Sequence, residues 1–313
     1  MLLFALACAP DQDVSPIDDG SETVEPVDEP TPYVLDEGDE ELPLLGPEQL
    51  RWGIEDALST VFTLDPVLLQ GAYESLRYGD STDCPYYYPG YYDLYGYDYW
   101  VDTCTSDSGW TFAGNGRSYA YAPYVDGYYA WDYRNYFYGA ARIDTPEGET
   151  LVASGYATSY AYTNTSNGYR YHYAYLNGDF RWDGAPGTWL AEDLAVSLVT
   201  YGYQSPAGGT SMSLDGSLTG LQGDVNTVVF DGVFLFDEVL ASPCPLEPSG
   251  VISLRDDEGQ WYDVQFDGPD SGATAMWAPD CDGCGQAWQG GESVGQVCPS
   301  FDRMIIWPGS RPW

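Results

Sequence analysis

The sequence predicts a mainly all-β protein: an antiparallel meander forming a curved sheet, barrel or sandwich, with a small N-terminal helical hairpin. Three observations carry that expectation. Tyr169, Tyr171, Tyr173 and Tyr175 recur at every second position, as do other apolar rows between 110 and 278, and this is the period of a pleated strand. Clusters such as Asn164-Thr165-Ser166-Asn167-Gly168 and Asp256-Asp257-Glu258-Gly259 punctuate the rows as turns. Connections this short cannot supply the crossovers that parallel strands need, so neighbours pair antiparallel.

The helical pattern opens at Pro47-Glu48-Gln49-Leu50 and continues through Ile54, Leu58, Val61 and Phe62 at three-to-four spacing, leaving Trp52 unassigned. Asp65-Pro66 reads as a cap and first-turn proline for a second short helix through Leu68, Leu69, Ala72 and Leu76. This hairpin is expected to cover one edge or end of the sheet. From Asp83 to Trp100 no period holds. Beyond Gly109 strands take over. In Leu151–Thr163, Val152, Tyr156, Tyr160 and Tyr162 face one way, and Ala153, Gly155, Ala157, Ser159 and Ala161 the other. Similar stripes follow at Leu194, Val196 and Leu198, at Met212, Leu214 and Leu218, at Val228, Phe230, Phe234 and Phe236, and at Tyr262, Val264 and Phe266, with Gly208-Gly209 and Gly223-Asp224 read as turns between them. These stripes amount to about nine to eleven strands over 110–278. The small-residue faces would let another layer approach closely.

The chain has 313 residues and a formal charge of -39, from 49 Asp and Glu against ten basic residues, all of them Arg. Phosphates would be repelled, which argues against a nucleic-acid partner, and so would an anionic bilayer surface. Eleven Trp, 29 Tyr and 10 Phe provide material for a substantial core.

Seven cysteines leave an odd one. Cys8 ends the run Met1-Leu2-Leu3-Phe4-Ala5-Leu6-Ala7-Cys8, while Cys84, Cys104, Cys244, Cys281, Cys284 and Cys298 form an even set suited to three disulfides. The simplest pairing joins Cys84 to Cys104, and the Cys281-Asp282-Gly283-Cys284 turn closes on Cys298. A C-x-x-C pair also suits a redox dithiol or half a zinc site, but an exported chain with an even set favours disulfides. The stretch Ala5-Leu6-Ala7-Cys8 resembles the lipobox of bacterial lipoproteins. That resemblance implies cleavage before Cys8, a diacylglycerol on its thiol, and a chain anchored in the bilayer of the cell envelope, at the outer membrane and outside the cytoplasm. Residues 9–45 agree with such an anchor: they hold 13 Asp or Glu and no basic residue, a composition that stays extended and disordered.

The expected organisation is a signal-peptide remnant at 1–7 and an acidic disordered tether at 8–45. Residues 46–108 carry the helical hairpin and a disulfide-bounded Tyr-rich loop, 109–278 the antiparallel β domain, and 279–313 an irregular Cys-containing segment packed on that domain. An outer-membrane barrel shares the aromatic alternation, but Ser211, Ser213, Asp215, Ser217 and Thr219 lie opposite a modest apolar face, and the body cysteines fit it poorly.

The binding candidates are Tyr86, Tyr87, Tyr88, Tyr91, Tyr92, Tyr95, Tyr97 and Trp100, in the loop bounded by Cys84 and Cys104. Flat rings with polar tips suit sugars and protein surfaces; on a half-buried strand the same stripe is ordinary sheet packing. Asp280 and Asp282 offer hard oxygens that suit Ca²⁺, without EF-hand spacing, and no other cofactor is expected. A single histidine, His172, and no serine in a nucleophile-elbow context leave catalysis unsupported. The expected role is a non-enzymatic, surface-displayed or periplasm-facing lipoprotein that binds an envelope or extracellular protein or glycan. The alternatives are a carbohydrate-active hydrolase using two carboxylates and a structural component of the envelope.

Overall fold

A computed structural model describes residues 44–64, 86–88, 97–121, 124–125, 128–164, 166–185, 187–202, 208–238, 247–268, 282–305 and 307. Met1–Leu42 and Pro43–Trp313 form separate units, and every described residue belongs to the second. Cys8 with its tether, the second helix of the expected hairpin, and Cys84, Cys244 and Cys281 lie outside the described residues.

Helix α1 spans Pro47–Val61. Proline at the first turn needs no N–H partner there, and the Gln49 side chain accepts the Gly46 N–H at 2.9 Å, satisfying one orphan donor. The apolar spacing puts Leu50, Ile54, Ala57, Leu58 and Val61 on one buried face. That face packs against three strands of the sheet, β10 (Val225–Glu238), β11 (Ser249–Asp256) and β14 (Glu292–Val297). Because β14 ends the hydrogen-bonded order, α1 packs near that end of the sheet.

The remaining strands are β1 (Tyr86–Tyr88), β2 (Tyr97–Thr105), β3 (Thr111–Tyr121), β4 (Tyr124–Val125), β5 (Tyr128–Asp144), β6 (Thr150–Asn164), β7 (Arg170–Asp183), β8 (Thr188–Gly202), β9 (Gly208–Thr219), β12 (Trp261–Asp267) and β13 (Gly285–Gln289). They form one 14-stranded sheet in sequence order, with only β4 off the path, paired to β5. Every pairing is antiparallel. The order does not close on itself, so the result is a curved open sheet rather than a barrel. Among the described residues no helix is long and apolar enough to cross a membrane.

Local turn chemistry makes the meander. After β2, β5 and β11 the same device recurs: Gly109, Gly148 and Gly259 take positive φ and donate to Ser106, Thr145 and Asp256 respectively. This type I turn with a glycine bulge matches the right-handed strand twist. Gly208-Gly209, expected as a turn, instead opens β9. A Cβ on Gly209 would stand 2.8 Å from the Tyr201 hydroxyl, so the glycine lies beneath that ring.

Residues 279–313 are more regular than their sequence suggests. Strands β13 and β14 extend the sheet through a Gly290-Gly291 turn with both φ positive, and α2 (Asp302–Ile305) follows. Two short strands joined by glycines carry too little alternation to be recognised. Phe301 packs edge-on against Phe266, and Trp307 against Phe62.

One long-range pattern shapes the whole sheet. Consecutive strands each break their pleat once, at adjoining positions: Asp102 opposite Gly114, then Gly139 and Ala140, Gly155 opposite Gly178, Asp193, Gly216, Gly232 and Gly250, all at positive φ. The backbones touch along this line; a Cβ on Gly155 would meet the Asn177 carbonyl oxygen at 2.0 Å, and one on Gly250 the Gly232 oxygen at 2.4 Å. Aligned kinks of this kind bend a sheet sharply. On one side of the crease the inner face is large and apolar, with Phe112, Ile143, Leu151, Phe180 and Trp189 buried. On the other it is mixed: Ser118, Asn135, Ala157, Ser159, Ala161 and His172 make a small and partly polar layer on β3, β5, β6 and β7, beside the buried Trp100, Phe137, Leu176, Val196 and Leu214. There Ser159 Oγ lies 3.1 Å from His172 Nε2.

Candidate functional site

The tyrosine stripes stand on the outer face, opposite this small-residue layer. Ala157, Ala161 and Ala174 are fully buried, whereas Tyr156, Tyr160, Tyr162, Tyr171, Tyr173 and Tyr175 are half-buried. Register joins them across strands: Tyr136 pairs with Tyr156, Tyr160 with Tyr173, Tyr162 with Tyr171, and Arg134 with Thr158. The rings then pack on one another. Tyr136 and Tyr156 stack at 5.8 Å between centroids, Tyr162 and Tyr171 at 5.5 Å, and Tyr173 and Tyr175 at 6.0 Å, with Tyr156 and Tyr175 tilted at 5.2 Å. Such pairs add about 0.5–1.5 kcal/mol each beyond their burial, so the rings of this face form one packed field.

A trough interrupts the field at Thr158. That short side chain lies between Tyr156 and Tyr160 on β6, with Arg134 beside it on β5 and Tyr171 and Tyr173 across on β7. Together with Tyr136 they enclose about 400 Å³, within the range of small-molecule sites. Burial, with the Tyr175 hydroxyl bonded to it and the Tyr175 and Tyr136 phenols beside it, pushes the Tyr156 hydroxyl up to about 12. Burial also raises Tyr171, next to Tyr160, and Tyr173, next to Tyr156 and Tyr171. These phenols therefore stay protonated and offer both donors and acceptors. Among the described residues Arg134 is the one charged group lining the trough, and no carboxylate lines it.

The sequence-chosen loop meets this face in part. Tyr86, Tyr87 and Tyr88 form β1, opposite Tyr99, Asp98 and Tyr97. Tyr86, Tyr99, Arg117, Tyr136 and Tyr156 share one register row across five strands. That row runs into the trough. Trp100 does not belong to it. Its ring is wholly buried, crosses Gly116, where a Cβ would have no room, and packs on Phe112 and Phe137. It is a core residue and presents no surface to a ligand. Tyr91, Tyr92, Tyr95 and Asp280 lie outside the described residues.

Asp282 caps its own turn: Oδ1 accepts the Cys284 N–H at 3.0 Å and Oδ2 the Gln296 amide at 2.5 Å. Cys284 is bonded to Cys298, tying β13 to the end of β14. Cys104 is also disulfide-bonded, to a cysteine outside the described residues. Among the described residues no three His, Cys, Asp or Glu side chains converge as a metal site would require.

The candidates chosen from sequence lie in the loop, and Arg134, Thr158 and the β6–β7 tyrosines that line the trough were not among them. The signal was present in the Tyr/Ala alternation of 153–163, since a strand whose other face is all small residues turns its large rings outward. No protein-family model, curated protein or solved structure matches the chain.

Proposed function

We propose that this chain is a lipid-anchored protein of the cell envelope whose β domain binds a glycan on its outer tyrosine face, without catalysing a reaction. The trough around Thr158 carries the reading: a shallow, ring-walled depression fringed by protonated hydroxyls, with a single arginine at its side. Sugars present apolar C–H faces and many hydroxyls, and tyrosine complements both at low entropic cost. A charge of -39 repels acidic polymers at long range and leaves a neutral glycan unaffected. Glycoside hydrolysis needs two carboxyl groups flanking the bond. The ring-walled shape and the hydroxyl fringe support binding, and cleavage of a glycan in the panel below would favour the hydrolase reading instead.

The test is a panel of neutral glycans with the intact protein, alongside Tyr156→Ala and Tyr173→Ala. Saturable binding that weakens about tenfold or more in both variants, and is unchanged in Trp261→Ala on an exposed part of β12, supports the proposal. No glycan bound, or binding indifferent to the two tyrosines, overturns it. The anchor is tested separately by the intact mass of membrane-extracted protein: a chain beginning at acylated Cys8, with no free thiol, is expected. An unprocessed, unacylated chain would refute it.

A further inference from the structure

We propose that a second concavity, between α1 and the β9–β10 turn, binds an alkylammonium group, independently of the tyrosine face. The cleft has a volume of about 210 Å³. Gln49, Trp52 and Asp56 line it from one face of the helix, and Gln222 and Asp224 from the turn. Gly53 and Gly223 also line it; the first lets the helix sit close against Val225 and Leu254, and the second faces open space.

Three observations point to a cation. Trp52 is 53% exposed, on a helix whose other large apolar side chains are buried or half-buried; an indole face attracts cations. The two charged groups lining the cleft among the described residues, Asp56 and Asp224, are both acidic, so the hollow lacks a counter-charge. Although Asp56 is an exposed residue, partial burial of its carboxyl raises it above its ordinary value. Asp224 is held in place by Gln49, whose amide donates to Oδ2 at 3.1 Å. The arginine next to Trp52 in the chain, Arg51, is engaged with Glu48 and Glu55 and lies 5.8 Å from the Trp52 ring centroid.

The volume suits a compact ammonium on a short aliphatic stem better than a long or branched ligand. The chain contains no Lys, so none of its own side chains can supply that group. A free amine and a lysine of a partner protein share this chemistry, and n-butylammonium and Nα-acetyl-lysine amide probe the two sources.

The obstacle to any cation titration is diffuse attraction to a molecule of charge -39. The readout is therefore the indole N–H resonance of Trp52 in the nitrogen-15-labelled full chain, assigned by its loss in Trp52→Phe. Titration with either amine is expected to shift that resonance saturably, while neutral n-butanol leaves it in place. Asp56→Asn and Asp224→Asn should each weaken the amine by about tenfold, although each removes only one of 49 acidic residues. Tighter binding of the acetyl-lysine amide assigns the site to a partner's side chain, and tighter butylammonium binding to a free amine. Shifts that never saturate, spread evenly over the 11 indoles, or survive both Asp variants would overturn the site. Both aspartates are exposed, so the variants keep the fold, and an unchanged thermal midpoint checks this.

Discussion

His172 shows how one buried residue ties stability to pH. It is 3% exposed beside Ser159, and burial lowers its pKa from 6.5 to about 4. An unfolded chain takes up a proton below 6.5 that the folded one refuses, so the linked stability is complete above pH 6.5 and lost as pH falls toward 4. The loss amounts to roughly 3 kcal/mol at most. Urea unfolding of wild type and His172→Gln at about pH 7.5 and about pH 4.5 isolates it from the carboxylates common to both: the variant should lose less stability on acidification, by up to that amount. Gly155 is a backbone counterpart. With φ at +148° and the Asn177 oxygen 2.0 Å from any Cβ, Gly155→Ala forces β6 and β7 apart at their closest point. A loss of about 3 kcal/mol or more is expected; a variant unfolding within about 1 kcal/mol of wild type would show that the crease tolerates side chains.

At one end of the sheet the elements that stabilise one another include a helix. Exposed edge strands invite pairing with other chains, and α1 lies against β14, which ends the hydrogen-bonded order. Leu58 is fully buried on the packed face of that helix. Leu58→Ala should cost about 2–5 kcal/mol and speed amide hydrogen exchange in β14 before it affects β6 and β7. The Cys284–Cys298 disulfide closes a separation of 14 residues in the same hairpin. Breaking it with Cys298→Ser should cost about 3 kcal/mol on the loop-entropy account, read as a lower denaturant midpoint. The Asp256 turn is a smaller lock: Oδ1 accepts the Gln260 N–H, Oδ2 accepts the Tyr262 hydroxyl, and that hydroxyl in turn accepts the Leu45 N–H. Through it a β11–β12 turn holds the segment leading into α1.

At the scale of the whole molecule, charge adds to the chain entropy that opposes folding. Forty-nine acidic residues against ten arginines repel one another in the compact state. Raising ionic strength from about 0.01 M to about 0.15 M shortens the screening length from about 30 Å to about 8 Å. The thermal midpoint should rise by several degrees over that range, and a flat response would mean that the charges are already neutralised locally. The two concavities differ in the sign of their charged lining groups: among the described residues Arg134 lines the tyrosine trough, whereas Asp56 and Asp224 line the α1 cleft.

Local residue chemistry was enough to establish α1, the antiparallel order and the division of β6 and β7 into two opposite faces. Each depends on neighbours in sequence: a proline at a helix start, a glycine in a turn, an alternation of Tyr and Ala. What lies between distant residues was decided only by the tertiary structure. The crease needs glycines from separate strands brought into line by register. The burial of Trp100 depends on Gly116 and Phe137 lying on neighbouring strands, and the trough depends on Arg134, Thr158 and Tyr173 meeting from three. A period of two specifies which face a side chain takes; only the folded sheet determines what stands beside it.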